Sequence, residues 1–172
     1  MDGANYTSTS GATGDTMGDT AGSHASLILR NDTVYNKTQV FWLGYGNSST
    51  SVVDMSSGAM ILANGLRAGN NAGTINAFYH TGGAVVSSSE FDFAYGSATA
   101  YGYYLNAGGA LTNGGWVQLG RSGSTGIIDQ SGGDIVCTVN GIIIANNGVG
   151  VVYQTGGTMG GSQPIYMSYG AS

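Results

Sequence analysis

The amino-acid sequence predicts an all-β, single-domain parallel β-solenoid of about six coils, each of roughly 25 residues. Three observations predict it: a glycine-ended motif recurs at nearly constant spacing, apolar residues keep fixed offsets from that glycine, and the intervening residues are turn formers. Stacked repeats look like this because one unit is too small to bury its own apolar face.

The motif is Met55-Ser56-Ser57-Gly58, His80-Thr81-Gly82-Gly83, Asn106-Ala107-Gly108-Gly109, Gln130-Ser131-Gly132-Gly133 and Gln154-Thr155-Gly156-Gly157. Its final glycines, Gly58, Gly83, Gly109, Gly133 and Gly157, lie 25, 26, 24 and 24 residues apart and anchor five coils at a turn. Two residues on stand Met60, Val85, Leu111, Ile135 and Met159, a candidate core column. Five residues before the glycines stand Val53, Phe78, Tyr104, Ile128 and Val152. Ten residues after come Phe93, Leu119, Ile143 and Met167, with Leu66 in the corresponding place of a shorter second coil. Apolar residues at period two mark strands, whereas the Gly, Asn, Ser and Thr between them are poor helix formers. Asn64-Gly65, Asn113-Gly114, Asn140-Gly141 and Asn147-Gly148 mark corners, since Asn and Gly tolerate positive φ.

A more degenerate first coil runs from Leu27 to Thr50, where Phe41-Trp42-Leu43-Gly44-Tyr45-Gly46 is similar to Phe93-Ala94-Tyr95-Gly96 and Asp32-Thr33 replaces the paired glycines. Residues 1–25 are polar and rich in Gly, Thr and Asp, which predicts an arm or cap ahead of a solenoid over 26–172. An arm reaching onto a neighbouring subunit is the expectation. Three residues before the repeat glycines stand His80, Asn106, Gln130 and Gln154, which in stacked coils would form a ladder hydrogen-bonded along the axis.

Composition excludes several classes. Net charge is −5 with four cations in 172 residues, so no basic patch exists to neutralise a run of phosphates, and nucleic acid is not a partner. No apolar stretch is long enough for a membrane span. One proline beside 32 glycines argues against collagen. The single cysteine, Cys137, permits no internal disulfide.

The segment Tyr153-Gln154-Thr155-Gly156-Gly157-Thr158 resembles the Gly-rich coils of large bacterial surface and autotransporter-type passenger proteins, and the likeness covers roughly residues 27–172. The resemblance implies an extracellular bacterial β-solenoid. It transfers no catalytic residue.

The carboxylate pairs Glu90 with Asp92, Asp129 with Asp134, and Asp15 with Asp19 are the candidates for acid–base work or calcium. Glu90 and Asp92 flank inward Phe91 and are expected to point outward as a solvated pair. Cys137, in phase with Ile135 and Val139, reads as a buried inert thiol. His24 and His80 lack metal-ligand spacing. No catalytic residue, cofactor or metal site is therefore assigned, and no enzyme is expected. Eleven tyrosines, among them Tyr95, Tyr101, Tyr103, Tyr104, Tyr153, Tyr166 and Tyr169, could pack the core or present a glycan- or protein-binding face. Asn5, Asn31, Asn36 and Asn47 head acceptor triplets that would carry glycans in a secreted eukaryotic protein and arise by chance in a bacterial one.

The expected function is an extracellular or cell-surface structural protein whose partner is itself, joined head to tail into a fibre, because the last coil keeps the repeat pattern to within two residues of the end. The alternatives are a glycan- or surface-binding adhesin or phage-fibre-type module, and a carbohydrate-active enzyme on the same scaffold.

Overall fold

The computed structural model describes residues 4–8 and 14–170, which form a β-solenoid of stacked parallel coils. The chain opens with β1 (Asn5–Ser8) and β2 (Asp15–Met17). The first full coil is β3 (His24–Leu29), β4 (Val34–Lys37) and β5 (Phe41–Leu43); the second is β6 (Thr50–Met55), β7 (Ala59–Leu62) and β8 (Leu66–Ala68). The third is β9 (Ile75–His80), β10 (Ala84–Ser87) and β11 (Phe91–Phe93). In the fourth and fifth, long strands β12 (Tyr101–Asn113) and β14 (Thr125–Cys137) replace the first two, followed by β13 (Val117–Leu119) and β15 (Ile142–Ile144) respectively. The sixth is β16 (Val149–Gln154), β17 (Thr158–Gly161) and β18 (Ile165–Tyr166). Every pairing is parallel.

First and second strands of the coils share an 11-stranded sheet, because β12 and β14 run through the bend, while third strands form a 7-stranded sheet across the lumen. Inward residues stack in columns. Val53, Phe78, Tyr104, Ile128 and Val152 face one another in register on first strands, and Tyr35, Met60, Val85, Leu111, Ile135 and Met159 on second strands. All these side chains are buried except Val152 and Met159 of the last coil. Phe93 stacks on Tyr104 at 4.8 Å between ring centroids, closing the lumen between the two sheets.

Third strands differ in part from the sequence expectation. Leu66 pairs with Phe91 and Ala68 with Phe93, so the second coil has full length and merely carries a small residue at the later place. Ile143 does not continue the Phe93–Leu119 column. Ile144 does, and Ile143 faces Gln118 on the outer side. One extra residue in the corner after Cys137 causes this, since a one-residue slip exchanges the two faces of a strand. The same corner turns Val139 out of the core, where it is 62% exposed, while Cys137 stays buried and burial pushes its thiol up to about 11.

Residues 24 and 25 belong to β3, and the described part of the amino-terminal segment lies on its own solenoid: β1 pairs with β4 and β2 with β5. The expected reach onto a neighbour is corrected accordingly for those residues; 1–3 and 9–13 lie outside the described residues. Polar contacts replace the missing large apolar residues. Lys37, fully buried, meets Asp15 Oδ1 and Ser8 Oγ, each at 3.0 Å, and Tyr35 Oη donates to Asp15 Oδ2 at 3.0 Å.

The repeat glycines do not all serve one purpose. Gly58, Gly83, Gly133 and Gly157 have positive φ, but Gly109 does not. A Cβ at Gly109 would instead fall inside the His80 imidazole.

Candidate functional site

His80, Asn106, Gln130 and Gln154 occupy facing registers on successive coils, below Met55. The three amide side chains do not hydrogen-bond one another. Asn106 Oδ1 accepts from the Gly109 amide at 3.0 Å, and its Nδ2 donates to the Asp134 carbonyl at 3.3 Å. Gln130 Nε2 donates to the Gly133 and Thr158 carbonyls, and Gln154 Nε2 to the Gly157 carbonyl. The side-chain ladder is thus corrected: each amide bonds the backbone of its own turn, and Asn106 and Gln130 also bond the backbone of the next coil, because backbone groups on both coils lie within reach.

His80 Nε2 lies 3.3 Å from the Gly83 carbonyl and Nδ1 2.8 Å from Tyr104 Oη. The carbonyl only accepts, so Nε2 carries the proton and Nδ1 accepts from the tyrosine hydroxyl. Burial, opposed by the Gly83 hydrogen bond, lowers the imidazole to about 4. The folded pKa lies below the unfolded value near 6.5, so this residue's stabilisation is complete above about pH 6.5 and is lost as pH falls towards 4. His80→Gln should therefore lose less melting temperature between pH 7 and 5 than the parent protein. Equal losses in thermal melts would contradict a neutral buried imidazole.

The outward side of the third-strand sheet holds the densest polar cluster. Trp42, Arg67, Asp92, Gln118, Ile143 and Tyr166 face one another on six successive coils. Corner residues flank them: Glu90 and Trp116 precede their strands, and Tyr45, Tyr95, Arg121 and Asn146 follow. Strands of three residues leave the corners close enough for long side chains to fold over the centre. Asp92 is consequently 0% exposed.

The expected solvated pair is corrected here: Glu90 and Asp92 share two arginines. Glu90 Oε2 accepts from Arg67 Nη2 at 3.1 Å and Arg121 Nη1 at 3.2 Å, whereas Asp92 Oδ2 lies 3.7 Å from Arg67 Nε and Arg121 Nη1. Both Asp92 oxygens and Arg67 Nε are buried without a hydrogen-bond partner. Burial, with Glu90 adding repulsion, raises the Asp92 carboxyl to about 8 in spite of Arg121, Arg67 and the neighbouring Gln118 side chain. Aromatic rings hold the guanidiniums. Arg67 lies 5.5 Å from the Trp42 ring centroid and 4.8 Å from that of Tyr95, and Arg121 lies 4.8 Å from the Tyr95 centroid. Tyr45 meets Trp42 edge-on, and at the far end Trp116 meets Tyr166, which meets Tyr169.

The other candidates are dispersed. Tyr103 donates to Asp129 and Thr158 to Asp134, so these two carboxylates serve separate coil contacts. Tyr104 is core, Tyr101 and Tyr103 are half-buried on the first-strand face, and Tyr153 is exposed. Asn5, Asn31 and Asn47 are exposed, and Asn36 is half-buried in β4. Among the described residues no group of three or more His, Cys, Asp or Glu is placed to hold a metal, and no helix is long and apolar enough to cross a membrane.

Trp42, Arg67 and Arg121 escaped the sequence reading. The signal was present for two of them, since Trp42, Arg67, Asp92 and Gln118 are separated by 25, 25 and 26 residues, the spacing of the repeat glycines. No family model matches the chain, and no curated protein or solved structure matches it, so the resemblance to surface passengers reaches the stacked-coil fold and no match supports a bacterial passenger origin.

Proposed function

We propose that the chain is a structural β-solenoid that joins copies of itself end to end, coil upon coil. The observation carrying this reading is the outer edge of the sixth coil. Its strands β16, β17 and β18 pair on one side only among the described residues. Val152 and Met159 are half-exposed there although their columns are otherwise buried, and Met167 is 71% exposed. Such an edge offers unpaired N–H and C=O groups together with apolar side chains, which another coil would satisfy.

At the opposite end, a cavity of about 500 Å³ is lined by Tyr6, Asp15, Met17, Leu27, Tyr35 and Phe41 among others. The two ends differ in shape and chemistry, so a joint between them is directional and repeats into a filament instead of closing as a dimer. The likeness of the coils to those of surface passengers supports an extracellular setting. The edge accepts the same kind of coil from a second copy or from more of one chain, and the self-association arm is directly testable. Sedimentation velocity should show mass rising with protein concentration. Met159→Lys, which charges the edge while leaving the inner coils in place, should return the protein to a monomer whose circular dichroism still shows folded strands. A parent protein that stays monomeric at high concentration would overturn the proposal.

A further inference from the structure

We infer that the outward face of the third-strand sheet binds an anionic oligosaccharide lying along the solenoid axis, with Arg67 and Arg121 taking its acidic group and Trp116, Tyr166 and Tyr169 stacking on its rings. Four features carry this.

The first is the guanidinium pair. Arg67 and Arg121 are half-buried, clamped against aromatic rings and anchored through Glu90, so little side-chain freedom remains to be lost on binding. Arg121 uses Nη1 for Glu90, and a guanidinium carries five N–H donors in a planar fork matched to carboxylate or sulfate oxygens.

The second is local charge. Glu90 offsets one arginine, while Asp92 is buried with neither oxygen hydrogen-bonded and holds its proton up to about pH 8. The cluster is therefore cationic near neutral pH on a chain whose net charge is −5. That contrast steers an anion to this spot and disfavours long polyanions such as nucleic acid.

The third is the aromatic group at the other end. Trp116, Tyr166 and Tyr169 pack edge-to-face, at 62° and 68°, and among the described residues no guanidinium covers them as Tyr95 is covered. A ring carrying a hydroxyl or indole N–H suits a sugar, which offers C–H groups on one face and hydroxyls at its rim.

The fourth is length. From Trp42 to Tyr166 the column advances five coil spacings, roughly 24 Å at about 4.8 Å each. A short linear oligosaccharide spans that distance, and each sugar ring is about as long as one coil spacing.

The test is calorimetric titration of the whole chain with four probes: pentagalacturonate, a chondroitin sulfate hexasaccharide, cellopentaose, and a pentaglutamate peptide. The two acidic sugars should bind, the first through carboxylates alone and the second with sulfates added to its carboxylates, so tighter binding of the second reports a gain from sulfate. Arg121→Gln should weaken that binding at least about tenfold, the loss expected for a charged hydrogen-bonded contact. Tyr169→Ala, at an exposed position near the last strand, should also weaken it while the melting temperature stays near that of the parent. Cellopentaose bound as tightly as the acidic sugars would overturn the anion selectivity, and pentaglutamate bound as tightly would overturn the carbohydrate assignment. Failure of both acidic sugars to bind folded parent protein would overturn the inference entirely.

Discussion

Leu111→Asp is expected to leave almost no folded protein at room temperature. Leu111 is fully buried in the second-strand column between Val85 and Ile135. Truncation of such a residue costs about 2–5 kcal/mol through lost transfer energy and the cavity left behind. Aspartate adds an unpaired carboxylate in the lumen, and the total approaches the whole stability of an ordinary domain. Leu111→Ala should remain folded with a markedly lower denaturation midpoint, which makes the pair informative: circular dichroism melts showing both variants close to the parent would refute burial of this column. In a solenoid the effect has a direction as well. Each coil contacts only its neighbours, so the fourth coil's failure should uncouple the coils on either side of it.

Asp92→Asn is expected to stabilise the protein, by an amount that grows with pH. The folded pKa of about 8 lies above the unfolded value near 3.9, so the fold favours the protonated form. The stabilisation tied to that preference is fully present below about pH 4 and is lost as pH rises towards 8, because the unfolded chain ionises first. Asparagine stays neutral throughout and escapes that loss. The variant's gain should be small near pH 4 and exceed about 2 kcal/mol at pH 9. Denaturant unfolding at the two pH values measures it, and a variant that is less stable than the parent at pH 9 would show that the ionised carboxylate is held by its arginines after all. His80 acts over part of the same range with opposite sign, so the pH profile of the parent alone separates neither group.

Both residues illustrate where sequence reasoning stops. The column positions of Leu111 and its neighbours were legible, because stacking in register demands apolar residues at one offset on every coil and the glycine spacing exposes that offset. Asp92 has the same legible register, opposite Arg67 and Gln118. Its alternation with Phe91 and Phe93 correctly places it on the outer side of the strand. It could not reveal that the outer side is covered, since the cover forms only when Glu90 and Tyr95, at the corners of Asp92's own coil, meet Arg67 and Arg121 from the coils on either side. The amide column shows the same division: facing registers follow from spacing, but the hydrogen-bond partners depend on which backbone carbonyls, of the same turn or of the next coil, come within reach.

What the sequence determined by itself is the coil: its length, its parallel stacking and the identity of most inward side chains, all of which follow from short-range alternation and a constant repeat. Tertiary structure alone decided the rest. It turned Ile143 outward through one additional corner residue, paired the polar strands β1 and β2 with the solenoid through Lys37 and Asp15, and assembled Trp42, Arg67, Tyr95 and Arg121 into one surface. The physical reason is that backbone periodicity records which way a side chain leaves its own strand, whereas burial and charge depend on what neighbouring coils place above it.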